Sequence, residues 1–274
     1  MSMSVRTNVS ALTGAGQLGR TNKNLASSLA RISSGFRVNK AADDAAGLGV
    51  ATNLETQIGS TRTAMRNIND GISIIQTAEG ASNEVTDILQ RMRELAVQSS
   101  SGTLGNTERS FIQDEFVQLR SEVSRIAQVT EFNGVRLADG TLSSINVQIG
   151  VNNDTASRIV LQLGDLTTNG LGISALNLDT SANALSALAV LDTALSSVNS
   201  TRSLFGAAQN RIESALNNGQ IYIEALSAAE SQIRDADYAV ETSELTKLQI
   251  MQQAGVAALA QAKNINQSVI SLLS

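Results

Sequence analysis

The chain has 274 residues, a formal net charge of −5 and 42% hydrophobic residues, which is enough apolar material for one or two cores. It contains no His, Cys, Trp or Pro, which excludes an ordinary zinc site, a thiol nucleophile and a Ser–His–Asp triad. We therefore expect no enzyme, no metal site and no cofactor, and the acidic balance argues against a nucleic-acid partner. Aromatic residues make up only 3% of the chain, and this composition favours long helices packed through Leu, Ile, Val and Ala.

The first forty residues contain six Arg or Lys and no acid. Apolar or small residues recur there at steps of four and three, which predicts a helix with one narrow apolar stripe. We call these positions the N-terminal seam: Ala11, Ala15, Leu18, Asn22, Leu25, Leu29, Ile32 and Phe36. Asn22 is either buried, where it would fix the register of the helix pair, or turned toward the solvent. The basic, Ser-containing start also fits a mitochondrial presequence, although the heptad pattern is better ordered, and no apolar run is long enough to span a membrane.

A polar connector follows, in which Asp43 and Asp44 are predicted to cap the next helix rather than to ligate a metal. The three–four rhythm then predicts a long helix over residues 51–95 with one phase slip. Ser99–Asn106 is predicted to be a loop, and a second helix covers residues 112–126. Two apolar-striped helices joined by a short loop indicate an antiparallel helical hairpin.

The helical rhythm stops at Phe132-Asn133-Gly134-Val135, where Asn-Gly favours a tight turn. Apolar and polar residues then alternate over 145–151 and 159–163, which predicts a β-hairpin with one apolar face. A helical pattern returns from Ser181 to Ile233. The acidic connector after it holds Asp235, Asp237, Glu241 and Glu244, opposite in sign to the N-terminal segment, so the two segments are complementary within one chain or between copies.

The last stretch repeats the heptad pattern of the first. We call its apolar or small positions the C-terminal seam: Leu248, Met251, Gly255, Ala258, Ala262, Ile265, Val269 and Leu272. Two such seams at opposite ends of the chain are natural partners. A lone pair of helices leaves much apolar edge in water, and contacts that run head to tail without closing build a helical filament.

The sequence thus predicts a mainly α fold, a long antiparallel helical bundle or coiled coil with terminal heptad arms and one small β-hairpin region. The predicted domains are a paired arm domain of residues 1–43 and 236–274, and a helical bundle domain of residues 44–235. The β-hairpin region covers about residues 132–178 of the second domain.

Several ordered motifs add a family resemblance to this description. They are Ile32–Gly35, Ala42–Gly47, Asn69–Ser73, Leu89–Gln98, Phe132–Val135, Arg234–Ala239 and Gln252–Gly255. On these motifs the chain resembles bacterial flagellins, the subunits of the flagellar filament. Because the β-hairpin is followed so closely by the returning helix, the chain resembles a minimal flagellin without outer variable domains.

The resemblance implies a structural subunit that polymerises for swimming motility, with both arms in an inner coiled-coil tube. It implies secretion through the flagellar type III export apparatus, a dedicated export chaperone on the C-terminal arm, and an extracellular location in the filament. It also implies contacts with hook-associated junction and cap proteins, but neither nucleic-acid binding nor membrane insertion.

The resemblance further implies that a host Toll-like receptor contacts Arg91, Leu95 and Glu115. From the residue pattern alone, Arg91 and Glu115 would be solvated helix residues and Leu95 would belong to the core.

Three other classes of protein are alternatives. A hook–filament junction protein shares the plan of terminal arms and is the main alternative. A coiled-coil adhesin would require a signal or an anchor, and an enzyme would have to act without His or Cys.

Overall fold

The computed structural model describes the backbone of residues 7–273 and the side chains of residues 7–264. The elements in these residues are α1 (Val9–Ser34), α2 (Ala45–Ser100), α3 (Asn106–Val129), β1 (Glu131–Phe132), β2 (Val135–Arg136), β3 (Ser144–Gln148), β4 (Arg158–Gln162), α4 (Ser181–Arg234) and α5 (Tyr238–Leu273). The predicted fold class, mainly α with a small β region, is confirmed.

Residue contacts divide the chain into two compact units, with the divisions after Thr56 and after Glu224. We call Gln57–Glu224 the bundle unit, and the remainder, which contains α1 and α5, the arm unit. The predicted domain boundaries near residues 43 and 236 stay a prediction.

Local side-chain chemistry sets the ends of α1 and the start of α2. The side chain of Asn8 accepts a hydrogen bond of 2.9 Å from the backbone N–H of Ala11, and Gly35, at φ 76°, ends α1 in the left-handed region. Asp44 caps α2, because its Oδ1 accepts from the N–H of Gly47 at 2.8 Å. Asp43 instead accepts from the N–H groups of Lys40 and Asn39, and these bonds hold the pKa of its carboxyl below the ordinary 3.8.

One part of the bundle core joins α2, α3, α4 and the irregular segment before α4. Its largest fully buried side chains include Leu89, Met92, Phe116, Ile173 and Leu191. Arg109, only 9% exposed, closes the α2–α3 loop through bonds of 3.0 Å and 2.8 Å to the carbonyl oxygens of Ser99 and Ser101. Because the guanidinium donates to two backbone oxygens, it stabilises the loop and is not available to bind a ligand.

The other part of the core lies under the predicted β-hairpin, which is confirmed. Strands β3 and β4 are antiparallel with Val147 opposite Ile159. These two residues and Leu161 are buried and form one cluster with residues of α2 and α4, among them Ile68 and Phe205. The Asn-Gly turn joins β1 to β2, with φ 49° at Asn133 and φ 77° at Gly134.

By length and composition α4 could cross a membrane, since its most apolar 18-residue window has a mean hydropathy of 1.2. This differs from the expectation that no stretch would qualify. The apolar residues of α4 that repeat at helical spacing, including Leu191, Val198 and Ile212, are fully buried in the two core clusters. A core helix passes the same test, because its apolar stripe is packed against other helices.

At Gly71, α2 lies close against the β-hairpin. A Cβ atom at this position would lie 3.1 Å and 3.2 Å from the two methyl carbons of Val147. Because the backbone of the helix fills this contact, Gly71→Val should overpack the core and lower the free energy of unfolding by about 1–3 kcal/mol.

The matched control is Gly80→Val on the same helix, where a Cβ would meet no atom within 4 Å. Its unfolding free energy should change by roughly a few tenths of a kcal/mol. Urea unfolding followed by circular dichroism measures both variants, and equal effects would show that close approach is not the reason for glycine at 71.

Candidate functional site: the paired terminal helices

Helices α1 and α5 lie antiparallel and pack on one another. Near the start of α1, Nδ2 of Asn8 donates to the carbonyl oxygen of Ala262 at 2.9 Å. Near its end, the Tyr238 hydroxyl donates to the carbonyl oxygen of Ile32 at 2.7 Å. The contact therefore extends along most of α1.

Within α1 and the described part of α5, only alternate members of each predicted seam are covered. In the N-terminal seam, Ala11, Leu18, Leu25 and Ile32 are half-buried, while Ala15, Asn22 and Leu29 are exposed. Phe36, the last predicted member, is also half-buried, but it lies beyond the end of α1. In the C-terminal seam, Leu248 is buried, Gly255 and Ala262 are half-buried, and Met251 and Ala258 are exposed. Ile265, Val269 and Leu272 lie outside the described side chains. The pair of helices thus covers one edge of each seam and leaves the other edge in water.

In α1, the residue immediately before each exposed seam residue is the one that is covered. Gly14 is half-buried, and Thr21 and Ser28 are only 4% and 3% exposed. A Cβ on Gly14 would lie 3.4 Å from Leu259, and a Cβ on Gly255 would lie 3.2 Å from Leu18. Small residues therefore let one leucine of each helix approach the backbone of the other helix. As a result, the face of α1 that is covered includes Gly14, Thr21 and Ser28 and is not centred on the predicted seam.

Asn22, for which two orientations were open, is exposed. Its Oδ1 accepts a hydrogen bond of 2.9 Å from Nε2 of Gln252. It therefore contributes a surface contact between the helices and not a buried register lock.

Glu241, which the sequence analysis assigned to an acidic connector together with Glu244, lies instead in the first turn of α5, and it joins this helix to α1 through a buried polar contact. The Ser28 hydroxyl donates to Oε1 of Glu241 at 2.7 Å, and Nη1 of Arg31 lies 3.9 Å from Oε2. Ser28 is almost fully buried and the Glu241 side chain is 13% exposed. The carboxylate of Glu241 and the guanidinium of Arg31 thus form, within one chain, a contact between the opposite charges of the two terminal segments.

Arg234 organises the segments that enter and leave the two arms, a role that the sequence analysis missed. Its carbonyl oxygen accepts from the N–H of Arg37 at 2.7 Å, and its guanidinium lies 4.2 Å from the ring centroid of Phe36. The same guanidinium binds Glu55 at 3.1 Å. The position of Arg234 inside the Arg234–Ala239 motif was the available signal for this role.

An apolar surface remains on the outer sides of α1 and α5. Its large side chains are at least 40% exposed, and they are Val9, Leu12, Leu29, Val240, Ile250, Met251 and Val256. This many large apolar side chains exposed on two adjacent helices are typical of a protein that associates through them.

The three residues of the implied receptor contact lie in the bundle unit and differ in accessibility. Nε of Arg91 donates to Oε1 of Glu115 at 2.9 Å, and Nη1 donates to Glu94 at 3.0 Å. The bonds to Glu115 and then Glu94 raise the pKa of Arg91. Leu95 is only 1% exposed and belongs to the core. A direct receptor contact through the Leu95 side chain therefore does not fit its burial, because almost none of its surface reaches solvent.

Among the described residues, no group of three or more Asp, Glu, His or Cys could hold a metal ion.

Replacing Glu241 with Ala should loosen the paired arms. The change leaves the buried Ser28 hydroxyl without its acceptor and Arg31 without its carboxylate, which we expect to cost the arm unit about 1–3 kcal/mol. Hydrogen exchange of the α1 amides measures this loss against the amides of α3. Glu244→Ala is the matched control, since Glu244 is 45% exposed and its one ion pair among the side chains of residues 7–264 is with Lys247. Equal exchange in both variants would contradict the role of Glu241.

Comparison with known proteins agrees with this geometry. The family model for the bacterial flagellin N-terminal helical region matches residues 5–143, and that for the C-terminal helical region matches residues 188–273. The chain is 44% identical to a flagellin of Halalkalibacterium halodurans over 89% of each protein. It is 39% identical to the flagellar filament 33 kDa core protein of Treponema phagedenis, over 99% of this chain and 100% of that protein.

A crystal structure of Bacillus cereus flagellin is 34% identical in sequence and matches with a TM-score of 0.51, over 56% of this chain and 88% of that one. The matched family models cover both terminal helices and most of the bundle unit. The chain therefore belongs to the bacterial flagellin family and is a structural subunit that polymerises into the flagellar filament.

Proposed function

We propose that the exposed members of the two seams are the surfaces through which copies of this subunit pack in the filament. The observation that carries the proposal is the half-covered state of each seam. Ala15 and Leu29 on α1, and Met251 and Ala258 on α5, keep the heptad spacing and yet remain exposed.

The energetics favour burial by further helices. Burial of apolar surface contributes about 25 cal/mol per Å², and a two-helix contact can cover only one side of each helix. In a tube of paired arms, each helix has neighbours on more than one side, so both edges of a seam are buried. Contacts that do not close on themselves then extend the tube without limit.

The same surface accounts for the partners that the resemblance implies. An apolar stripe on an unassembled subunit promotes aggregation, which favours an export chaperone over the C-terminal arm before passage through the type III apparatus. We extend the proposal to secretion and to an extracellular filament, in which residues 1–43 and 236–274 form the arm domain. Hook-associated junction and cap proteins would bind the seams that the two filament ends leave open.

No observation favours the alternative of a hook–filament junction protein. The curated relatives described above are named flagellin and filament core protein, and the chain aligns with each over most of its length.

Deleting Leu248–Ser274 should leave a folded helical protein that forms no filaments. The bundle unit retains both core clusters, whereas the arm unit loses most of α5. Electron microscopy after addition of filament seeds, with circular dichroism as the test of folding, gives the result. Filaments of normal appearance from the truncated chain would refute the proposal.

A point variant tests the exposed edge alone. Leu29→Asp places a charge on an exposed seam residue, and we expect the critical concentration for polymerisation to rise by roughly tenfold or more, the effect of about 1.4 kcal/mol per subunit. Val129→Asp is the control, because Val129 is similarly exposed but lies at the end of α3. Polymerisation equally sensitive to both changes would show a general charge effect.

A second proposal concerns the exposed face of α2 and α3. We propose that Arg91 and Glu115 bind a host Toll-like receptor, and that Leu95 supports this face from inside the core. The observation in favour is that Arg91 and Glu115 are both half-exposed. The guanidinium of Arg91 is fixed by two carboxylates, that of Glu94 on α2 and that of Glu115 on α3.

Arg91→Ala should lower the potency of the unpolymerised protein on receptor-bearing reporter cells by about tenfold or more, as expected for an interface hot spot. Arg125→Ala is the control, because Arg125 is also exposed and paired with a carboxylate, that of Glu122. Equal potency of the two variants would exclude Arg91 as a contact. Leu95→Ala should instead lower the melting temperature together with the potency.

A further inference from the structure

A polar pocket of about 450 Å³ lies in the bundle unit between the β3–β4 hairpin and α4. Its apolar part includes Ile149, Ile159 and Ala215, and its polar part includes Asn210 and Ser214. Two arginines, Arg158 and Arg211, also line it, and none of the lining residues is acidic. The pocket therefore carries two positive charges that no carboxylate in its wall offsets.

Arg158 is held in position by neutral groups. Its Nε donates to Oε1 of Gln148 at 3.0 Å, and its Nη2 donates to Oδ1 of Asn153. The acid nearest in sequence, Asp154, accepts from the N–H of Ser157 at 2.7 Å, and the bonds from Ser157, followed by the charge of the nearby Arg158, lower the pKa of this carboxyl. The described side chains of Asp154 and Arg158 form no direct ion pair. Amide oxygens orient the guanidinium without removing its charge, so it is prepared for an anion.

Arg211 is exposed on α4 and forms no hydrogen bond or ion pair within the described part of the chain. Two guanidinium groups in one pocket repel each other, and a carboxylate is the ligand that satisfies both through paired N–H donors. The adjoining apolar wall suits the methylene groups of an Asp or Glu side chain.

We propose that this pocket binds an acidic side chain of a neighbouring copy of the chain in the filament. The inference rests on polymerisation and adds a polar contact in the bundle unit to the apolar contacts of the arms. The chain has 25 acidic residues against 20 basic ones. Glu84 and Asp87 on α2 and Asp114 on α3 are exposed and make no ion pair among the described residues.

Identical copies in a head-to-tail polymer each present one donor patch and one acceptor patch, so a cationic pocket and unpaired carboxylates are complementary between copies. Since both charges are already present on every subunit, no further component is required. The pairing also makes assembly dependent on salt, because partly exposed charges are screened.

The first test compares Arg211→Gln and Arg158→Gln with Arg62→Gln. Arg62 is exposed, has no partner among the described residues and lies outside the pocket, so its replacement removes the same charge. Each pocket variant should raise the critical concentration of seeded polymerisation by about fivefold and weaken its salt dependence, while Arg62→Gln should match the wild type.

Unchanged polymerisation of Arg211→Gln would overturn the proposal. This variant decides the matter even where Arg158→Gln loosens the hairpin, because Arg211 makes no described contact on which the fold depends. Failure of the wild type to polymerise would instead contradict the assembly of the arms and would be seen before any variant is compared.

The second test identifies the occupant. Since the chain contains no Cys, Asn218→Cys in the pocket wall can carry a single photo-crosslinker. Illumination should join two copies in filaments but not in monomers, and mass spectrometry should place the joined peptide in an acid-bearing segment of the second copy. Crosslinks confined to one chain in filaments, or to a peptide without Asp or Glu, would overturn the proposal.

Discussion

The contact between α1 and α5 cannot bury both edges of the two heptad seams, and the behaviour of the subunit follows from this constraint. A helix that packs on a single partner covers one side only, so a seam with several apolar columns needs several partners. In the bundle unit, by contrast, α2, α3, α4 and the hairpin bury their stripes against one another. The bundle unit has a core of its own, whereas the arm unit buries one edge of each seam and leaves heptad positions exposed that further copies can cover.

The polar contacts of the arm unit make the covered edge specific. Apolar packing alone would tolerate a shift of one helix along the other by one heptad. The polar contact of Glu241 with Ser28 and Arg31 joins the two helices in one register. Arg234, at the end of α4, adds contacts with Phe36 after α1 and with Glu55 of α2. Because one edge of each seam is fixed in this way, the opposite edge faces outward at a defined rotation of the helix about its axis. An ordered polymer requires this rotation to be the same in every subunit.

Much of this fold could be predicted from the sequence, because period and turn chemistry are local. The helices, the β-hairpin and the Asp44 cap follow from spacing and from residue type. The covered edge of the seams could not be predicted, because Gly14, Thr21 and Ser28 carry no strong apolar signal and yet occupy the contact. Their small size decides the approach of the helices, and hydrophobicity does not measure size. Leu95 shows the opposite case, where helical spacing correctly indicated burial and the resemblance implied a surface contact.

The two kinds of surface have different physical tasks in a polymer. Apolar burial is non-directional and supplies most of the free energy of association, whereas charge pairing supplies register and discriminates against wrong contacts. The exposed seams of α1 and α5 belong to the first kind, and the arginine pocket with the unpaired acids of α2 and α3 belongs to the second. These surfaces lie on different units of the subunit, and they differ in how they respond to the solution. Apolar contacts between seams are little affected by salt, whereas a charge contact at the pocket is screened by it, so the pocket makes assembly sensitive to ionic strength.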